Sequence, residues 1–150
     1  MTHAQAFWRP IDEAFGEAYA RIAPLAARPD VRSLLVHLTA SHRGYRQLTR
    51  LVREGQYDLD RARAQQVEGW QESQLARYAA RSPGDLLQEW CGWHEELRAE
   101  LNALDDRLLP TVVYRPDLGD VTLERFLDDI PRHVRAHIAQ ISPSSREAAR

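Results

Sequence analysis

Apolar residues recur every three or four positions along most of this chain, and nowhere do apolar and polar residues alternate convincingly enough for a strand. A helix turns with that period, so each apolar set forms a stripe that must be buried against a neighbour. The clearest stripe is Leu87, Trp90, His94, Leu97, Leu101, Leu104 and Leu108, spaced like the core of a helix bundle. Ser82 and Pro83 mark its start, a capping hydroxyl followed by the residue that suits the first helical position. Pro110 ends it.

The other elements follow from the same reasoning. Trp8, Ile11, Phe15, Tyr19, Ile22 and Leu25 predict a helix over residues 8–27, with Pro10 tolerated in the first turn and Pro24 placed to kink it or end it early. A second helix is predicted from near Asp30, as cap, to Arg53, with Gly55 free to take the left-handed conformation that stops helices. Its apolar face is two strips wide: Leu34, His37, Ser41, Gly44, Leu48 and Leu51 beside Leu35, Leu38, His42, Tyr45 and Val52. Such a face suits contact with two neighbours. Residues 59–80 are more polar, and Val67, Trp70, Leu75 and Tyr78 give them a modest face for a helix laid against the others or across them. Residues 114–120 read as a loop, with Pro116 and Gly119 placed for turns. Thr122 caps a last helix on which Phe126, Ile130, His133, His137 and Ile141 share a face, and Pro131 predicts a kink before His133. The expected fold is all-α: a four-helix up-and-down bundle over residues 1–141 with an additional short helix in a crossover, then a flexible tail over 142–150.

Composition narrows the function. A chain of 150 residues fits one domain, and 43% hydrophobic with 28% charged residues is enough to fold around its own core. A net charge of -2 argues against general nucleic-acid binding, which requires a cationic surplus. All 20 basic residues are arginine, which removes Schiff-base and phosphate-loop lysines. Cys91 is the single cysteine, which removes disulfide frameworks and thiolate zinc clusters. No stretch approaches the ~18 uncharged apolar residues of a membrane span, and no basic segment leads into an apolar run, so the expected location is cytoplasmic.

His133 and His137 stand four positions apart, one helical turn, so their rings share a face and can share one metal ion. His37, in the apolar face of another helix, is the best third donor. Three imidazoles leave a coordination position for water or substrate, as catalytic sites do. Spacing alone fits equally well a pair of surface histidines with one hydrogen-bonded core histidine. The paired E-x-x-H elements of di-iron bundles and the H-E-x-x-H motif of zinc proteases are both absent.

Residues 34–43, LLVHLTASHR, together with TLER at 122–125 and HVRAHIAQI at 133–141, resemble the first and last signatures of the DinB-like superfamily. The resemblance extends from the first helix to Ile141. Its Trp-rich middle and His42 are similar to the branch of colibactin self-resistance proteins. It implies one divalent cation per chain (zinc, nickel, iron or manganese) on His37, His133 and His137 near one end of a four-helix bundle, and a homodimer. Members include thiol-dependent transferases and isomerases and a cyclopropane hydrolase. The implied function is a metal-dependent enzyme that attacks a small electrophilic molecule through activated water or a low-molecular-weight thiol from solution. The alternative is a non-catalytic protein whose metal and aromatic pocket hold a small molecule.

Several neighbours are open in role. His94, on the core stripe, is a fourth ligand, a hydrogen-bond partner to one of the ligands, a proton carrier or a hydrogen-bonded core histidine. His42 is five residues from His37, roughly 140° around the helix, and so lies outside the ligand set, while His3 is expected to be exposed. Arg132 and Arg135 flank the last histidines, either solvated or attracting an anionic substrate, and Asp128 or Asp129 can accept hydrogen bonds beside the site. Trp8, Trp70, Trp90 and Trp93 are chiefly core residues, with one of them lining a substrate pocket as the alternative, and Cys91 has no activating partner in the sequence.

Overall fold

Local chemistry places most of the helix ends. In the computed structural model, which describes residues 2–65 and 70–142, the helices are α1 (His3–Ala6), α2 (Trp8–Ile22), α3 (Pro29–Arg53), α4 (Leu59–Gln65), α5 (Trp70–Tyr78), α6 (Pro83–Ala103) and α7 (Leu123–Ile138). Pro10 lies in the first turn of α2, and the helix gives way at Pro24 to a 3-10 turn, Ala23–Leu25. Pro29 opens α3 in the first helical position. Asp30 therefore falls in the first turn rather than at the cap, and its carboxylate accepts from Arg28. Gly55, with φ of 70°, supplies the predicted stop. The hydroxyls of Ser82 and Thr122 accept from the backbone N–H groups of Asp85 and Arg125, each at 3.1 Å, and so cap α6 and α7. The polar stretch after Gly55 forms two helices, α4 and α5; Val67 lies outside the described residues, as do residues 143–150 of the expected tail.

Two further expectations need correction. The helix carrying the core stripe ends at Ala103, so Leu104 and Leu108 are not helical continuations of it. Asp105 and Asp106 interrupt it by taking backbone donors: Asp105 accepts from Arg107 N in a 3-10 turn, Asp106–Leu108, and Asp106 accepts from the N–H groups of His3 and Ala4. Leu104 remains buried although its backbone is extended.

Residues 114–120 are not merely a loop. They belong to an antiparallel hairpin of β1 (Val112–Arg115) and β2 (Gly119–Thr122), with Val113 opposite Val121 and Arg115 opposite Gly119. Val113 and Arg115 both turn inward. Because one inward residue is an arginine, the alternation is invisible to hydropathy. The chain is mostly helical with this one small sheet among the described residues.

Packing follows the stripes. α3 lies along α6 and α2 along α7, while α3 also meets α7 and α2 meets α6. Ile11, Ile22, Leu35, Leu38, Trp90, Leu97, Leu101, Leu127 and Ile130 are fully buried between them. Of the two strips on α3, the one with Leu35, Leu38, His42, Tyr45 and Val52 enters this core, whereas the one with Leu34, His37 and Leu48 is only half-buried. The hairpin packs on α7 and α4: Tyr114 N–H donates to the Tyr57 hydroxyl at 2.8 Å, and the N–H groups of Leu123 and Glu124 donate to Thr111 and Leu109 carbonyls. α7 runs as one helix through buried Pro131, whose missing N–H leaves the Leu127 carbonyl without its helical donor. No helix among the described residues is long and apolar enough to cross a membrane.

Leu97, fully buried, and Leu75, 46% exposed, make a contrasting pair. Replacing Leu97 with alanine is expected to lower unfolding free energy by about 3 kcal/mol, through lost transfer energy and a cavity. Replacing Leu75 should change it by less than about 0.5 kcal/mol. Urea denaturation followed by tryptophan fluorescence measures both.

Candidate metal centre

His37 comes from the half-buried strip of α3, and His133 and His137 come from successive turns of α7 where the two helices meet. Their Nε2 atoms converge. His137 Nε2 is 3.0 Å from His37 Nε2 and 3.0 Å from His133 Nε2, and all three ligand atoms lie within 4.8 Å of one another. Ligand nitrogens around a tetrahedral zinc at its usual 2.0–2.1 Å bond length stand about 3.3 Å apart, so the spacing suits a metal. As a hydrogen-bonded trio the arrangement is poor, because one lone pair on His137 would have to accept from both neighbours. A single cation would satisfy all three nitrogens. Among the described residues no other group of three potential ligands converges in this way.

Electrostatics favour the ligating form. Burial, assisted by the nearby His137, brings His37 from the ordinary 6.5 down to about 4. Burial likewise lowers His133 to about 4, with His137 and Arg115 acting in the same direction. His137 is lowered by burial and partly held up by Gln140. Neutral imidazoles are what a cation requires.

The Tyr45 hydroxyl makes a short hydrogen bond with His133 Nδ1. When Nε2 of a neutral imidazole is given to a metal, its proton resides on Nδ1. Tyr45 would then accept that proton's hydrogen bond and fix the ring plane, acting as a positioning residue for His133. Tyr45 belongs to α3, one strip away from His37, and burial pushes its phenol well above the ordinary value.

The histidines form one end of a cavity of about 380 Å³ whose other walls include Ser41, Tyr45, Leu48, Arg115, Asp117 and Phe126. A second cavity, about 410 Å³, shares His37, Ala40 and His137 with the first and is bordered by Ser33, Gln74 and Gln140. The half-buried strip of α3 is thus the wall of the site rather than part of the core. Arg115 is 8% exposed; its guanidinium donates to Asp117 and to the almost fully buried Asp129, which also accepts from Arg132. Both carboxylates are held below their ordinary range by these arginines, although burial opposes the shift at each.

Other residues singled out in the sequence lie elsewhere. His94 is buried away from both cavities, with Nε2 2.8 Å from Asp12 Oδ1 and its ring stacked 3.8 Å from Phe15. That is the setting of a hydrogen-bonded core histidine, and burial lowers its pKa against the pull of Asp12. His42 accepts from Trp90 Nε1 at 3.1 Å, which keeps Nδ1 unprotonated, and burial lowers it to about 3. His3 and Asp128 are exposed, and Arg135 pairs with Glu17. None of Trp8, Trp90 and Trp93 lines either cavity; the side chain of Trp70 lies outside the described set. Burial raises the pKa of the half-buried Cys91 thiol, which suits an inert residue. Sequence reasoning missed Tyr45 and Arg115 as site residues. Tyr45 was detectable only as a member of the apolar face beside His37.

No family model, curated protein or solved structure matches this chain.

Two outcomes are expected. Tyr45→Phe should weaken zinc binding by roughly 10-fold to 100-fold, as loss of such a partner does elsewhere, without unfolding the chain. Competition with a chromogenic chelator, alongside circular dichroism, measures this. The second concerns pH. Folded His37 and His133 stay neutral to about pH 4, whereas unfolded histidines protonate near 6.5, so between those values the unfolded chain binds more protons. The metal-free protein should therefore lose stability as pH falls through this window, with no further loss from these two groups below it. Thermal melts from pH 7.5 to 3.5 on wild type and on the His37→Gln, His133→Gln double variant test the sign; the variant should show a shallower decline.

Proposed function

We propose that this chain is a DinB-like four-helix-bundle enzyme that holds one divalent cation on His37, His133 and His137 and acts on a small electrophilic molecule. The observation that carries the reading is the convergence of three Nε2 atoms from α3 and α7 at the wall of a cavity. Its volume falls in the range of small-molecule sites, and its walls are largely apolar with a few convergent polar groups. A bound cation supplies Lewis acidity and acidifies a water or an external thiol for attack. The chain's own residues position the ligands, through Tyr45 at His133, and limit water around them, through Leu48 and Phe126. Any thiol comes from solution, since Cys91 lines neither cavity. A homodimer belongs to the same reading.

Metal analysis of protein purified without an affinity tag is expected to give one zinc, nickel, iron or manganese ion per chain, with binding reduced at least 10-fold in His37→Ala and His133→Ala. Full retention of one ion in both variants would overturn the ligand assignment. The loaded protein is then offered small epoxides, activated esters and halo-aromatics, with and without dithiothreitol. Catalytic turnover abolished by chelation supports an enzyme. Saturable protection at one equivalent per chain, without turnover, would replace that reading with a small-molecule binder.

A further inference from the structure

Three neutral imidazoles contribute no charge to set against a divalent cation. The charged groups that act on His133 and His137 are Arg115 and Asp117. Arg115 and Arg132 balance Asp117 and Asp129, two positive charges against two negative, so this cluster leaves a bound cation's charge uncompensated. A half-buried site with that imbalance favours an anionic occupant.

Arg115 itself carries a second sign of an absent partner. Nε and Nη2 donate to Asp117, and Nη2 also donates to Asp129, but Nη1 is buried with no hydrogen-bond partner among the described residues. A buried charged donor left unsatisfied is unfavourable, and native structures seldom leave one without a reason. The residue lines the metal-side cavity, with its guanidinium carbon 5.8 Å from the centroid of the Phe126 ring. The two arginines that sequence spacing suggested for an anion are committed elsewhere, Arg132 to Asp129 and Arg135 to Glu17.

We infer that the cavity takes a small organic acid, with its carboxylate paired to the guanidinium of Arg115 and its apolar body against Leu48 and Phe126. This deepens the enzyme reading and rests on it for the role of the cation. Recognition of the acid, however, belongs to the protein alone. Arg115 is then a specificity-determining residue that orients the rest of the molecule toward the histidines. A primary amine of the same shape would meet the guanidinium and the cation with the wrong sign.

The test compares benzoate, benzamide and benzylamine by calorimetric titration, on zinc-loaded protein and on protein stripped with chelator. The stripped protein should bind benzoate at least ~10-fold more tightly than benzamide, the order expected of a charge-assisted hydrogen bond, and benzylamine should bind weakest. Arg115→Gln should abolish the preference, whereas Arg135→Gln should leave it unchanged. Equal binding of benzoate and benzamide by the stripped wild type would overturn the inference, as would an undiminished preference in folded Arg115→Gln. If that variant fails to fold, Arg115→Lys is titrated in its place, with a weakened preference expected and an undiminished one overturning the inference, and equal binding of benzoate and benzamide by stripped wild type overturns it without any variant. Failure to bind zinc is read separately by metal analysis, so loss of the enzyme reading is distinguishable from loss of this one.

Discussion

The buried pairing of Asp129 with Arg115 is the contact on which the shape of the site depends. Asp129 lies one helical turn ahead of His133 on α7, and Arg115 reaches it from the end of β1. Buried ion pairs add little net stability over apolar packing, yet removing one partner typically costs about 3–5 kcal/mol because the other charge is left stranded. The pair therefore works chiefly as a register device. It pins the hairpin to α7 so that Arg115 and Asp117 become a wall of the cavity facing His133. Arg132, on the exposed side of α7, closes the second half of the Asp129 carboxylate.

With that wall in place, the histidines occupy a half-buried position that keeps them neutral while leaving them accessible. Full burial would close the site, and full exposure would let protons compete near pH 6.5 for the same nitrogens. The Tyr45 hydrogen bond to His133 adds orientation that helical spacing cannot provide. A separate polar group lies in the core. His94 joins α6 to Asp12 of α2, and His42 of α3 accepts a hydrogen bond from the indole N–H of Trp90, so two histidines satisfy polar atoms between three packed helices. Their chemistry is structural here, since neither lines either of the two cavities that the site histidines border.

Helices and their ends were legible wherever the signal was local. Ser82, Thr122 and Gly55 act within a turn of their own position, and hydropathy at a period near 3.6 exposes each buried stripe. Legibility failed where a polar side chain did something a distant residue required. Asp106 ends a predicted helical run by capping α1, over a hundred positions earlier, and Arg115 hides a strand because its inward charge is matched by Asp129. The same limit applies to the site. The i, i+4 pair His133 and His137 was readable, but the importance of Tyr45 was not, because its partner lies 88 residues away.

By itself, then, the sequence determined a mostly helical chain, the pairing of His133 and His137 on one face, and a cysteine and lysine content that excludes several chemistries. Only the tertiary structure decided that His37 closes on that pair across 100 residues, that His94 turns to Asp12 instead, and that Arg115 rather than Arg132 or Arg135 reaches the cavity. The physical reason is one of range. Periodicity and capping act within a few residues, whereas ligand convergence and charge pairing depend on how whole helices are placed against one another.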